Sequence, residues 1–345
     1  MIGAPAAAIA ATVGSTAPPG EGEGYVVQVG PSSQPIAALS HTHAKSSNGT
    51  SSSSANVVEV QGQPLFNDHH FGGKTSQTGK GSAKDHDALL DTSAILGGAS
   101  PIRVQVTPWS SDSTVADNST GGTTASSDAT AEAAQGTLGS GASSVTVDVL
   151  KSTSSSSYST SSNGDSSSTG DTTTDGAIID AGGPNGLVID VLHSQASTSA
   201  NGTPTQNAYL VSVNGQQILS ADQVQQICKN LNIQGLIGLN CVTTNGGPGH
   251  SFAQDVAAAI GGPNGLPVNL STASASGGGT PKVAVSAALP SSPALAPAPT
   301  TVTPSGRLPF TGAPLQFLAL VAAALLALGA AVTQLAARLV PGLLG

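Results

Sequence analysis

Histidines are the residues of this chain with the clearest metal-binding chemistry. Five of the seven fall within the first 86 residues, beside three aspartates. Neutral imidazole nitrogens are common ligands of zinc and copper. The segment is rich in Ser and Gly, and no helical or hairpin spacing brings three ligands together, so we predict a solvated loop and no metal site. A metal-binding surface protein is kept as an alternative function. The residues concerned are His41, His43, Asp68, His69, His70, Asp85, His86 and Asp87.

Two short segments resemble parts of nucleotide-binding or catalytic motifs without completing them. Residues 71–75 read Phe-Gly-Gly-Lys-Thr, but the span from 68 to 71 lacks the earlier glycine of a phosphate-binding loop. His193 and Ser194 are neighbours, yet the Gly-x-Ser-x-Gly elbow of serine hydrolases is missing from the sequence. Asp180 and Asp190 lie near turns without the oxygen spacing of a calcium loop. We therefore predict no catalytic residue, no cofactor and no enzymatic activity.

The composition argues against an extensive hydrophobic core. The 345 residues include 43 Gly and 22 Pro but only one Trp, three Tyr and five Phe, and 8% of the residues are charged. Tracts such as Ser152 to Asp175 offer too little apolar surface to offset the entropy lost on ordering. We predict a mostly disordered, low-complexity chain with short β-rich modules. The formal net charge of -9 opposes binding to nucleic acid, which needs clustered Lys and Arg.

Short runs of β-forming residues predict the β modules. They start at Val57, Ile102, Val145 and Leu187, which are 45, 43 and 42 residues apart. The second and third runs alternate apolar and polar residues, as a half-buried strand requires. The turn sequence Gly-Gly-Pro-Asn-Gly-Leu also occurs twice, beginning at residues 182 and 261. We interpret these echoes as a degenerate β-rich repeat.

Residues 177–270 contain the best candidate for a small β-rich domain. Asn214-Gly215 separates two β-like runs, and this dipeptide is a strong signal for a tight hairpin. The segment from Ser220 to Gln223 has the form of a capping box and predicts a short helix.

The two cysteines of the chain lie in the same region. The number of cysteines, Cys228 and Cys241, is even, and the sequence around them resembles that of an extracellular protein. We therefore predict a local disulfide between them. Closing a loop of about 15 residues stabilises the folded state by about 3 kcal/mol in the chain-entropy model. The prediction is one small disulfide-stapled unit of a β-hairpin plus a helix.

The C-terminal residues carry the clearest functional signal. Residues 315–337 contain no charged side chain. At about 1.5 Å per residue a helix of this length reaches roughly 35 Å, enough to cross a hydrocarbon core of about 30 Å. Arg338 follows directly and has the place of a cytoplasmic stop charge. We predict a C-terminal transmembrane helix.

A pentapeptide precedes this apolar run. The order Leu308-Pro309-Phe310-Thr311-Gly312, apolar segment, basic residue resembles the LPxTG sorting signal of Gram-positive surface proteins. The resemblance implies that a membrane sortase cuts between Thr311 and Gly312 and joins Thr311 covalently to cell-wall peptidoglycan. Family tails usually end in several Lys or Arg, whereas Arg338 stands alone. Residues 188–194, 209–215 and 239–242 also resemble surface proteins of high-GC actinobacteria.

These signals divide the chain into five predicted regions. They are a truncated or atypical signal segment (1–24), a Ser/Thr/Gly-rich region with sparse strands (25–176), the small β-rich domain (177–270), a Pro/Ala/Ser/Gly-rich wall-spanning linker (271–307) and the sorting signal with its transmembrane helix (308–345). We predict an exported, wall-anchored protein with a structural or adhesive role. A tail-anchored membrane protein is the other alternative.

Overall fold

Tracts of Ser, Thr and Ala form long strands in this protein. The computed structural model describes residues 16–31, 35–65, 68–93, 102–139, 144–182, 186–231, 237–260 and 265–279. Burial alternates residue by residue along these tracts; in 151–157, for example, Ser152, Ser154 and Ser156 are buried while their neighbours are partly exposed. A period of two is the signature of a strand with one covered face.

The described residues contain nineteen strands, one α-helix and a 3₁₀ turn at His69–Phe71. The helix is α1 (Ala221–Leu231). The strands are β1 (Gly20–Val29), β2 (Ala37–Ser47), β3 (Thr50–Val60), β4 (Gln63–Pro64), β5 (Gly72–Thr78), β6 (Gly81–Asp87), β7 (Leu90–Asp91), β8 (Ile102–Val106), β9 (Trp109–Asp117), β10 (Thr123–Leu138), β11 (Val145–Thr160), β12 (Ser166–Ala181), β13 (Leu187–Thr198), β14 (Pro204–Val213), β15 (Gln216–Gln217), β16 (Ile237–Gly247), β17 (His250–Ile260), β18 (Leu266–Ser276) and β19 (Gly278–Gly279).

The strands make two antiparallel sheets. The first has the order β16-β17-β18-β1-β2-β3-β4, with β5 also paired to β3. The second has the order β15-β14-β13-β12-β11-β10-β8-β7; β9 and then β6 continue it beside β10, and β19 pairs with β12. The chain builds β1 to β5 in the first sheet, crosses to the second for β6 to β15 and returns for β16 to β18. Strand β18 then pairs with β1 in the middle of the first sheet.

Small side chains let the two sheets approach closely. The Thr42 hydroxyl lies 2.7 Å from that of Ser152, and the Ser53 hydroxyl donates to the Asp112 carbonyl at 2.9 Å. A Cβ added to Gly24 would lie 2.6 Å from Thr172 Cγ2. The interior therefore consists largely of paired hydroxyls and methyl groups, with a small aromatic centre at Trp109.

In each sheet, every second strand contains one non-glycine residue with left-handed backbone, and these residues lie at the same height along their strands. Across both sheets these residues form a line that we call the crease. At the crease the ladder skips a pair, as between Asp175–His193 and Ala177–Val191. Side chains three positions apart across the crease then contact each other. The crease residues are Ser40, Thr107, Leu150, Leu192, Val242 and Ser271, with φ between 48° and 57°.

The predicted fold class is wrong. The structure is a β-sandwich, and the tract from Ser152 to Asp175, expected to be disordered, lies in the central strands β11 and β12. Buried hydroxyl groups with hydrogen-bond partners avoid the desolvation cost that an unpaired polar core would carry. The separate hairpin-plus-helix unit is also wrong, because β14 belongs to the second sheet and β16 to the first. The expected boundary at 176/177 falls inside β12.

The predicted transmembrane helix at 315–337 lies outside the described residues. Among the residues that are described, no helix is both long and apolar enough to cross a membrane.

Helix α1 begins at the predicted capping box. The Ser220 hydroxyl accepts from the Gln223 amide at 3.3 Å, and the Gln223 side chain accepts from the Ser220 amide at 2.9 Å. Val224 and Cys228 are buried, and Cys228 is bonded to Cys241 of β16. The disulfide therefore fastens the helix to the edge of the first sheet.

Replacing both cysteines by serine is expected to release α1 while the sandwich stays folded. The bond closes a short loop, so its loss costs up to about 3 kcal/mol. The apolar cluster around the disulfide is made of residues of α1 and β16 together with Leu210, Leu219 and Val256. Hydrogen exchange should show faster exchange in 221–231 and unchanged exchange in β11 and β12. Loss of protection throughout both sheets would contradict a local role.

Candidate functional site

The crease places a histidine between two carboxylates on the second sheet. Asp175 lies directly opposite His193 in the β12–β13 pair, and Asp190 precedes His193 by three residues on β13. His193 Nδ1 lies 2.6 Å from Asp175 Oδ1 and 3.2 Å from Asp190 Oδ2. Tyr209 of β14 stacks on the imidazole ring at 4.5 Å and donates its hydroxyl to Asp190 Oδ2 at 2.7 Å. We call these four residues the β13 cluster.

The β13 cluster is largely buried, and burial sets its protonation. Burial alone would lower the pKa of His193, but the hydrogen bonds that its ring donates to Asp175 and Asp190 outweigh burial and raise that pKa to about 9. Burial, followed by the nearby charge of Asp190, raises the pKa of Asp175, although the contact with His193 opposes this. Burial and the bond to Asp190 raise the pKa of the Tyr209 hydroxyl.

A similar cluster occurs on the first sheet. His41 Nδ1 lies 2.6 Å from Glu59 Oε2, and His41 Nε2 lies 3.5 Å from Glu23 Oε1. Tyr25 stacks on His41 at 4.1 Å and donates to Glu23 at 2.7 Å. Burial lowers the pKa of His41, but the bonds to the two glutamates raise it to about 9. The His, Tyr and acid pair thus recur, though here the acids approach different ring nitrogens.

A third cluster, which we call the β11 cluster, has lysine in the place of histidine. Lys151 Nζ on β11 lies 2.8 Å from Asp148 Oδ2 and 3.0 Å from Glu132 Oε1 of β10. Gln135 donates to the other Asp148 oxygen at 3.0 Å. Asp148 and Lys151 straddle crease residue Leu150, as Asp190 and His193 straddle Leu192. This relation was not predicted, although residues 147–152 and 189–194 both read apolar-Asp-Val-Leu-basic-Ser.

A further buried acid lies between the sheets. Asp255 of β17 is 0% exposed, and neither of its carboxylate oxygens has a hydrogen-bond partner within the described residues. The nearby Ser271 hydroxyl donates to the Leu192 carbonyl at 2.7 Å and so does not pair with Asp255. Burial raises the pKa of Asp255 to about 9.

The early histidines are distributed over both sheets. His41 and His43 lie on β2, and His43 pairs with Glu21 at 2.8 Å. His69 and His70 lie on the 3₁₀ turn, where their side chains are about half exposed; His70 pairs with Asp87 at 2.9 Å. His86 lies on β6, and no set of three metal-ligating atoms from these early histidines and acids was found in the part of the chain that the structure describes.

The other motif residues are also placed apart from any catalytic arrangement. The Ser194 hydroxyl is buried and donates to the Ser271 carbonyl at 2.7 Å, while the neighbouring His193 contacts acids on the other face of β13. Gly73 lies on β5, where an added Cβ would meet the Trp109 ring. The sorting residues Leu308 to Gly312 and Arg338 lie outside the described residues.

Comparison with protein-family models, with curated proteins and with solved structures gives no match to this chain.

Proposed function

We propose that this chain is a non-enzymatic surface protein that a membrane sortase joins to cell-wall peptidoglycan through Thr311. One observation carries the proposal: the pentapeptide from Leu308 to Gly312, the uncharged residues 315–337 and Arg338 follow one another in the order of a sorting signal. The apolar segment would hold the pentapeptide at the membrane until cleavage. The disulfide supports export, since such bonds persist mainly in oxidising compartments.

The position of the chain ends supports display from one end of the sandwich. Glu21 pairs with Ser276, so β1 begins where β18 ends. The C-terminal end of β18 therefore lies beside the N-terminal end of β1. Val29 and Val268 are paired at the other end of these two strands, which marks the opposite end of the sandwich.

Exposed apolar side chains at that opposite end support an adhesive role. Large apolar residues at strand ends there are about half exposed, among them Leu138 at 58% and Ile102 at 48%. Leu138 and Ile102 are paired with each other, as are Ile260 and Leu266. Contiguous exposed apolar residues commonly mark interaction surfaces. A protein anchored at one end and apolar at the other has the organisation of an adhesin.

Thr311→Ala is expected to abolish covalent attachment to the wall without changing the fold. The chain would be expressed in a Gram-positive host with a sortase, and Thr303→Ala provides a matched change in the preceding linker. Wall-digesting enzyme should release wild type and Thr303→Ala with Thr311 linked to a wall peptide in mass spectra. Thr311→Ala should remain in the membrane fraction with its C-terminus intact.

Two results would overturn the proposal. Wild-type protein that keeps residues 315–345 in the membrane fraction would indicate a tail-anchored membrane protein. Equal release of wild type and Thr311→Ala would show that the pentapeptide has no role in attachment.

A further inference from the structure

The β13 cluster brings three potential metal ligands to one point. Asp175 and Asp190 are 4% and 8% exposed. Their carboxylate oxygens and a ring nitrogen of His193 all lie within 4.8 Å of one another, and no other such group of three His, Cys, Asp or Glu residues was found among the described residues. Two carboxylates are thus directed at the same imidazole nitrogen, where a metal ion can replace the proton of the hydrogen bond.

A buried oxygen of the cluster is left without a partner. Asp190 Oδ1 is inaccessible to solvent and has no hydrogen bond within the described structure, although buried carboxylate oxygens normally have one. The β11 cluster differs at this atom. There Gln135, opposite Asp148 on β10, donates to the corresponding oxygen. Asp190 is opposite Ile178 on β12 and Ser212 on β14, and neither of them donates to its Oδ1.

The two clusters also differ in their source of positive charge. In β11 the ammonium of Lys151 is a permanent part of the chain and contacts both acids. In β13 the corresponding residue is His193, whose proton supplies the positive charge when no metal is bound. Loss of that proton gives the ring nitrogen a lone pair, so the proton can be exchanged for a metal ion from solution, whereas the Lys151 ammonium of the β11 cluster cannot.

We propose that Asp175, Asp190 and His193 form a binding site for a divalent transition-metal ion. One nitrogen and two carboxylate oxygens suit zinc or manganese better than calcium, which prefers oxygen ligands alone. Tyr209 acts as a positioning residue, because its hydroxyl holds Asp190 and its ring fixes the imidazole plane. The site is independent of wall attachment and goes beyond the proposed function.

Metal binding is expected to be lost in Asp190→Asn and His193→Gln. The full chain would be treated with EDTA and titrated with ZnCl₂ in a calorimeter, and bound zinc would be counted by elemental analysis after gel filtration. Wild type should retain one zinc per chain, and each variant should bind at least about tenfold more weakly. Asp148→Asn and His41→Gln alter the related clusters and should leave zinc affinity unchanged.

The pH dependence gives a second readout. Zinc must displace the proton of His193, so affinity should rise between pH 6 and pH 8 and binding should release protons. The charged or titratable groups near the imidazole are Asp175, Asp190, Tyr209, Lys151 and Asp255. Wild type without bound zinc, or with zinc affinity equal to that of folded Asp190→Asn, would overturn the proposal. Equal loss in His41→Gln would also overturn it.

Discussion

Asp255→Asn is expected to raise the free energy of unfolding at pH 7 by up to about 4 kcal/mol, less the cost of burying the asparagine amide. The pKa of Asp255 rises from 3.8 in the unfolded chain to about 9 in the folded protein because the carboxyl is buried. Each unit of pKa difference corresponds to about 1.4 kcal/mol. Between pH 3.8 and pH 7 the folded state must keep a proton on Asp255 that the unfolded state has released. Asparagine has nearly the same shape as the protonated acid and removes this linkage.

The sign of the pH dependence follows from the raised pKa. The folded state binds the proton of Asp255 more tightly than the unfolded state does. Below about pH 4 the carboxyl is protonated in both states and carries no penalty. The free energy of unfolding then falls as the pH rises toward 9. Chemical denaturation between pH 4 and 9 should therefore give a falling curve for wild type and a flatter curve for Asp255→Asn. Asp165→Asn, in an exposed turn, should change stability by less than about 0.5 kcal/mol. Parallel curves for wild type and Asp255→Asn would contradict a titrating Asp255.

Gly170→Ala is expected to destabilise the sandwich by about 3 kcal/mol or more. An added Cβ at Gly170 of β12 would clash with the carbonyl oxygen of Glu21 and would lie 2.6 Å from that of Ser276. Both atoms are backbone of the facing sheet, on β1 and β18, so relief requires the sheets to separate. Overpacking of well-filled interiors typically costs about 1–3 kcal/mol and exceeds this where the backbone must move.

Gly136→Ala provides the matched control for this prediction. Gly136 lies on β10 of the same sheet, and in the described structure an added Cβ there meets no atom within 4 Å. Alanine should leave stability unchanged or raise it by up to about 1 kcal/mol, because the unfolded chain loses conformational freedom. Urea denaturation would compare the two variants. Similar stability of the two variants would show that the sheets are not in close contact at Gly170.

The local signals in the sequence were sufficient for the elements with ordinary chemistry. The alternating run at 102–106 is strand β8, and the run at 145–149 begins β11. Asn214 and Gly215 have φ values of 50° and 74°, as a tight hairpin requires. The capping box begins α1. In each case residues close in sequence determine the conformation.

The Ser/Thr tracts could not be recognised as strands because both of their faces carry the same side chains. In β11, Ser152 is buried and Thr153 is partly exposed, but their similar polarity hides the period of two. The β13 cluster was missed for another reason. His193 lies 18 residues from Asp175, and only the β12–β13 register joins them. The contact of Asp190 with His193 also depends on the left-handed residue Leu192, which no propensity rule predicts.

The central position of β18 has a mechanical consequence for a tethered protein. A pull on the C-terminal segment would first load the short β19–β12 pair and then β18, which is paired with β1 on one side and β17 on the other. Force along the strand axis loads both ladders in shear, so many hydrogen bonds must break together. An edge strand would instead peel away one bond at a time. The sandwich should therefore resist a pull that is applied to its C-terminal end, as the proposed wall attachment would require.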